Sequence, residues 1–209
     1  MSEWFTDWFD SEYYHTLYKH RDDREAERFI DNLVDLLELT PKDRILDLAC
    51  GKGRHSLQLA EAGFDVTGVD LSPNSIEQAQ KMSNDNLNFE VADMRTYSQP
   101  GYYTLVCNLF TSFGYFDDVN QNSLVLKQIH ENLEENGILV IDFLNAVKSQ
   151  KSLIEHELKV IGGVEFTITK RCDFKHFYKD IEIKDDAVSL KFQERVQYID
   201  LPQFSTLLS

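Results

Sequence analysis

The sequence predicts a doubly wound α/β fold, a mostly parallel sheet covered by helices, with an antiparallel β extension near the C-terminus. Between residues 44 and 143 short, solidly apolar runs alternate with amphipathic stretches. Such runs are strands buried on both faces, and the alternation implies parallel strands joined by helices. A glycine turn, Gly51-Lys52-Gly53, links the first run to the first helix of this series. After about residue 155 the pattern changes to an apolar/polar alternation, the mark of half-exposed antiparallel strands. Right-handed crossovers then fix the doubly wound arrangement.

Each element follows from local chemistry. From Asp22 to Leu39 a helical period places Phe29, Ile30, Leu33, Leu36 and Leu37 on one face, and Thr40-Pro41 ends it. Arg44 to Ala49 reads as a strand, Arg54 to Ala62 as a helix closed by Gly63, and Asp65 to Val69 as a second strand. Ser72-Pro73-Asn74 starts a helix from Ser75 to Met82, with a capping serine and an early proline. Leu87 to Val91 and Tyr103 to Asn108 are the next strands, Val119 to Leu133 is a helix, and Ile138 to Phe143 is a fifth strand. VEFTITKRCDF, FYKDIEIKD and VSLKFQERVQYI supply the antiparallel strands, and LPQFSTLLS reads as the first turns of a helix. The chain divides into an N-terminal helical and aromatic cap (1–39), an α/β core (40–147) and the β extension with that helix (148–209), together one compact domain.

A chain of 209 residues has the length for one substantial core. Apolar residues make up 42% and charged residues 27%, ordinary for a globular protein, but the formal net charge is -15. So acidic a surface opposes non-specific approach to nucleic acid. Cys50, Cys107 and Cys172 form no paired metal-ligand spacing and no disulfide framework, and no metal is expected. The N-terminal MSEWFTDWFDSEYY lacks the basic and apolar regions of a signal peptide, and no apolar run reaches the roughly 18 residues that span a bilayer. The expectation is a protein of the reduced cytoplasm with no membrane partner.

The glycine turn is the most informative segment. A dinucleotide fingerprint requires GxGxxG, but here the third position is Ser56. Asp47, near the end of the first strand, would repel a pyrophosphate resting on the helix N-terminus. It suits instead a ligand carrying an ammonium and a sulfonium, which describes S-adenosyl-L-methionine. Asp70, ending the second strand, is an acceptor for two ribose hydroxyls. Leu71 and Met94 offer an apolar sandwich for adenine, and Asp93 an acceptor for its amine.

The stretch ILDLACGKGRHSLQLAEAGFDVTGVDLS, followed by FEVADMRTY, resembles the cofactor core of class I S-adenosylmethionine-dependent methyltransferases, with a Rossmann-like sheet. The resemblance covers roughly residues 40 to 145 and implies a seven-stranded sheet of order 3-2-1-4-5-7-6. It implies that Asp47, Gly51 and Gly53, with Ala49 between them, hold the methionine part. Asp70 would hold the ribose, and Asp93 with the Met94 backbone the adenine. Asn108, Leu109 and Phe110 would face the methionine and the methyl group, and S-adenosyl-L-homocysteine would be the product. The segments YYHTLYKHRDDREAE, NLFTSFGYF, HFYKDIEI and FQERVQYIDLPQFSTLL are similar to small-molecule methyltransferases, including those that dimethylate amino groups of deoxysugars. In that group the N-terminal aromatic segment closes over the cofactor, and the extension builds the acceptor pocket or a homodimer contact. Against the family pattern, the chain is expected to end before strands six and seven.

The acceptor follows partly by exclusion. Methylation of exocyclic base amines in DNA uses Asn or Asp before Pro-Pro-aromatic, whereas this chain reads Asn108-Leu109-Phe110-Thr111, and no Pro-Cys occurs for cytosine C5 chemistry. A small-molecule N or O acceptor is expected. Phe113 and Tyr115 are candidates for an aromatic wall on the substrate side, or for packing under a helix. Tyr14 is a candidate to roof the cofactor together with Tyr18, itself a substrate-side candidate, and Arg21 to bind the cofactor carboxylate, with Arg54 competing for that role. His15, His55 and His176 carry no assignment, so no catalytic residue is named. Two rival readings stand beside this one. A nicotinamide-dependent oxidoreductase is opposed by Asp47 and the missing third glycine; the other is a module that binds the cofactor and transfers nothing.

Overall fold

Parallel pairing is what the apolar runs require, and the computed structural model, which describes residues 4–19, 23–116 and 118–209, shows it. The strands β1 (Arg44–Leu48), β2 (Asp65–Asp70), β3 (Leu87–Val91), β4 (Tyr103–Asn108) and β5 (Leu133–Ile141) form one sheet of order β3-β2-β1-β4-β5, parallel throughout. The order reverses at β1, so the crevice beyond the C-terminal ends of β1 and its neighbours is the switch point where such folds bind ligands. The helices α3 (Asp23–Leu37), α4 (Arg54–Glu61), α5 (Pro73–Ala79) and α6 (Val119–Asn132) complete the α/β series. Among the described residues no further strand joins this sheet.

The chain forms two units. One comprises Arg21–Ser112 and Asn120–Phe143; the other comprises Met1–His20, Phe113–Val119 and Leu144–Ser209. In the first, Ile45 and Cys107 from the sheet meet Leu59 and Phe64 from the α4 region and Ile30 and Leu33 from α3. Leu36, placed on that core face by its spacing, is 78% exposed. The buried stripe runs through Ala26, Ile30 and Leu33, with Leu37 partly buried, and Leu36 lies outside it in the last turn.

Ser72 caps α5, its hydroxyl accepting from the Ser75 amide, and a 3-10 turn (Gln80–Met82) carries the helix on to Met82. α6 ends at Asn132 rather than Leu133, and β5 pairs from Leu133 with a register shift before Ile138. It ends at Ile141, beyond which the Asp142 amide makes one more bond to the Asn108 carbonyl at 2.9 Å.

The second unit has α1 (Trp4–Phe9) and α2 (Glu12–Leu17), the short α7 (Ala146–Lys151), and an antiparallel sheet, β6-β7-β8-β9. Its strands are β6 (His156–Ile161), β7 (Val164–Cys172), β8 (His176–Asp185) and β9 (Val188–Gln197). β6 has no counterpart in the sequence reading: HELKVI is a short edge strand that leaves Leu158 and Val160 exposed. On the inner face Phe166, Ile168, Ile181 and Ile183 pack with Trp8 and Leu17. The last helix, α8 (Leu201–Leu207), starts with a capping box between Asp200 and Gln203.

Candidate cofactor site

The residues from Asp47 to Arg54 turn the chain from β1 into α4, and the turn is strained. Ala49 has φ 65°, Gly51 φ 57° and Gly53 φ 78°, all left-handed; only the two glycines adopt this region without steric cost. A Cβ on Gly51 would meet nothing within 4 Å, so open space lies over this backbone. Gly53 behaves differently: a Cβ there would stand 2.5 Å from the Phe89 ring. Gly68, which pairs with Phe89 across β2 and β3, leaves room for the same ring. Gly53 thus leaves room for the Phe89 ring, and Gly51 leaves its own backbone open.

Asp47 is 1% exposed and accepts the Ser56 hydroxyl at 2.6 Å on Oδ2. Burial pushes its carboxyl up to about 6; hydrogen bonds from Ser56 oppose this, and repulsion from Asp70 adds to it. Asp70 is oriented by two backbone donors, the Gly51 amide on Oδ2 and the Ser72 amide on Oδ1, each at 2.8 Å. Two carboxylates, one of them buried, therefore frame the turn, an arrangement that favours a cation. Below the turn, burial raises the Cys50 and Cys107 thiols well above their ordinary value, so neither is a thiolate nucleophile at neutral pH.

The linkage sign for Asp47 is that of a raised acid. Its folded form holds a proton that the unfolded chain releases near 3.8, so the stabilisation present at acid pH is lost as pH rises through about 6. Two pK units correspond to about 3 kcal/mol. Asp47→Asn is therefore expected to be more stable than wild type at pH 7 by up to about 3 kcal/mol and equal to it near pH 4. Urea unfolding at the two pH values checks this, and a variant less stable at pH 7 would contradict it.

Asp93, two residues past β3, is gripped by a neighbour absent from the sequence reading. Arg95 donates its amide and Nε to Oδ1 at 2.8 and 3.0 Å and Nη2 to Oδ2 at 2.5 Å, while Nη1 reaches Gln121 Oε1 at 3.2 Å. Partial burial pushes the Asp93 carboxyl up, but the bonds and charge of Arg95 outweigh it and hold the group below its ordinary value. Leu71 and Met94 are half-buried beside their aspartates in sequence.

At the end of β4, Asn108 is buried and donates Nδ2 to the Leu48 carbonyl at 3.0 Å, while Leu109 packs into the core. Phe110 and Thr111 are both left-handed, each with φ 58°, a costly conformation for a β-branched threonine. Asp142 braces them: Oδ2 accepts the Phe110 amide at 3.1 Å and its carbonyl the Thr111 amide at 2.8 Å. The Phe110 ring lies 4.7 Å from the Arg54 guanidinium and 4.8 Å from the His55 ring, and Arg54 also pairs with Glu25 at 3.6 Å.

The remaining sequence candidates lie in the other unit or outside the described residues. Tyr14 packs on Trp8, Phe9 and Tyr18. The Tyr18 hydroxyl donates to Glu194 and accepts from the Lys179 ammonium. Tyr115 sits among Trp4, Phe5 and Phe9, and Phe113 is wholly buried, 5.9 Å from Phe204. Arg21 lies outside the described residues.

The residues of the first unit fit the implied cofactor. Asp47 supplies a buried carboxylate, Gly51 an open backbone, and Asp70 an acceptor held by two amides. Comparison with known proteins points the same way. A family model described as "Methyltransferase domain" matches residues 39–191. The glycine/sarcosine N-methyltransferase of Parasynechococcus marenigrum (strain WH8102) is 32% identical over 125 residues, covering 57% of this chain and 44% of that protein. A crystal structure of an S-adenosylmethionine-dependent methyltransferase from Clostridium acetobutylicum ATCC 824 aligns with a TM-score of 0.75 at 18% identity, covering 94% of this chain and 82% of that one. The sugar N-methyltransferase KedS8 from Streptoalloteichus sp ATCC 53650 aligns with a TM-score of 0.71 at 21% identity, covering 93% and 82%. At such identities the two structures speak for the fold. The chain spans about half the length of the curated relatives it matches. Its parallel sheet, its glycine turn and the match over most of its length lead to one assignment: this chain belongs to the methyltransferase domain family.

Proposed function

We propose that this chain is an S-adenosyl-L-methionine-dependent methyltransferase that transfers a methyl group to nitrogen or oxygen of a small molecule. The observation that carries the reading is the pairing of buried Asp47 with Asp70 around the left-handed turn at Gly51. That site repels a pyrophosphate and favours a cationic ligand with a ribose. When bound, the cofactor supplies an electrophilic methyl group on a sulfonium.

The chain's own residues bind and position. Asp47 holds the ammonium. Asp70, oriented by the Gly51 and Ser72 amides, takes the ribose hydroxyls. Asp93, fixed by Arg95, meets the adenine amine beside Leu71 and Met94. Asn108 and Leu109 close the methionine side, and Asp142 fixes the loop that follows them. In-line displacement then depends on positioning and exclusion of water.

Asp70→Ala is expected to weaken S-adenosyl-L-homocysteine binding by about 1–3 kcal/mol through lost charged hydrogen bonds. An unchanged dissociation constant would mean that Asp70 does not hold the ribose.

A nitrogen acceptor, an amine or amino sugar, is favoured over a macromolecule by the net charge of -15 and by the relative named for glycine and sarcosine. Turnover of methyl-labelled cofactor on a panel of amino acids, amines and amino sugars tests this. Labelled product from a small amine supports the reading. Label found only in nucleic acid or protein, or in no acceptor at all, speaks against it.

A further inference from the structure

The position at which the sequence departs from the GxGxxG fingerprint is occupied by Ser56, and the structure gives that departure a use. Ser56 lies in the first turns of α4 with 0% exposure, and its hydroxyl donates to Asp47 Oδ2 at 2.6 Å. Its backbone amide acts on the carboxylate in the same direction as the hydroxyl. A glycine here, as the dinucleotide pattern demands, would leave the carboxylate without the hydroxyl donor. We infer that Ser56 is a positioning residue for cofactor binding, its hydroxyl fixing the buried Asp47 carboxylate in the ionised form that a cationic ligand requires. This rests on the reading of Asp47 as the ammonium partner.

The surroundings of Asp47 make that donor necessary. The groups facing it are Asp70 from β2, Cys107 from β4, Cys50 from the turn and Ser56 from α4. Both thiols stay protonated, and Asp70 carries a like charge. Burial and Asp70 favour the neutral acid, which holds an ammonium poorly; Ser56 opposes them. The Oδ2 bond also fixes the rotation of the carboxylate, so its orientation is set before a ligand arrives. No ligand atom touches Ser56 in this scheme, and its effect passes through Asp47.

The test compares wild type with Ser56→Ala, which removes one oxygen from a helix position that alanine suits. Calorimetric binding of S-adenosyl-L-homocysteine is measured from pH 5 to pH 8, and the Asp47 carboxyl is followed by carbon NMR in the ligand-free protein. Wild-type affinity should rise through about pH 6 and then level. In Ser56→Ala the carboxyl midpoint should move to higher pH, and affinity should fall about tenfold at pH 7 and recover toward pH 8. Ser56→Gly, which completes the fingerprint, should show the same displacement if alanine proves poorly tolerated. Unmoved midpoints with wild-type affinity overturn the inference. A loss of affinity equal at every pH also overturns it, because that is simple structural damage. Failure of the wild type itself to bind at any pH overturns the cofactor reading beneath it and is told apart by that fact.

Discussion

Replacing Glu194 by alanine is expected to destabilise the antiparallel unit by about 3 kcal/mol, the lower end of the cost of breaking a buried ion pair, because both partners keep some exposure. Glu194 lies on β9, its side chain 15% exposed, and ties four parts of that unit together. Trp8 Nε1 donates to Oε1 at 2.8 Å, Tyr18 OH donates to Oε1 at 2.7 Å, and Lys179 Nζ stands 3.5 Å from Oε2. The ammonium also donates to the Tyr18 hydroxyl and lies over its ring at 4.4 Å. Burial pushes Lys179 below its ordinary value, and Glu194 opposes that shift. Truncation would leave a half-buried cation, an indole N–H and a phenol without this acceptor. Glu194→Gln retains an oxygen for Trp8 and Tyr18, so its loss should be smaller. Denaturant unfolding measures both, and an alanine variant within about 1 kcal/mol of wild type would sink the account of this network.

The second large effect is expected at Gly53. Valine there must hold a left-handed backbone, at about 1–3 kcal/mol, and push aside a ring 2.5 Å from its Cβ, at about 1–3 kcal/mol more. The expected loss in unfolding free energy is about 4 kcal/mol. Because the ring is Phe89, shortening it should recover part of the loss: Gly53→Val with Phe89→Leu should cost less than the two single changes summed. Strict additivity would mean that the glycine serves the backbone alone.

These two cases show what local sequence can and cannot reveal. The parallel core was legible because strands buried on both faces are written as continuous apolar runs such as ILDL and YTLVCN. The acidic positions were legible because Asp47, Asp70 and Asp93 all fall at or near strand ends, a feature of spacing. Partners set by register or by distant chain were not. That Gly53 serves Phe89 depends on the pairing of Gly68 with Phe89. The Glu194 network ties β9 to Trp8 and Tyr18, 186 and 176 positions away. Arg95 on Asp93 and Asp142 beneath Phe110 look, in sequence, like ordinary charges after strands. Strand β6 escaped because HELKVI is brief and lies at an edge, where apolar side chains alternate outward. Ser56 was visible only as a missing glycine; its bond to Asp47 turns that absence into a contribution.

The central claim is that the turn at Gly51 receives an adenosyl ligand bearing an ammonium rather than a dinucleotide. Titration calorimetry of the chain at pH 7.5 with S-adenosyl-L-homocysteine and, separately, with NAD tests it most directly. Saturable one-to-one binding of S-adenosyl-L-homocysteine, weakened in Asp70→Ala, with no heat from NAD, is the predicted result. Binding of NAD with none of S-adenosyl-L-homocysteine would contradict it.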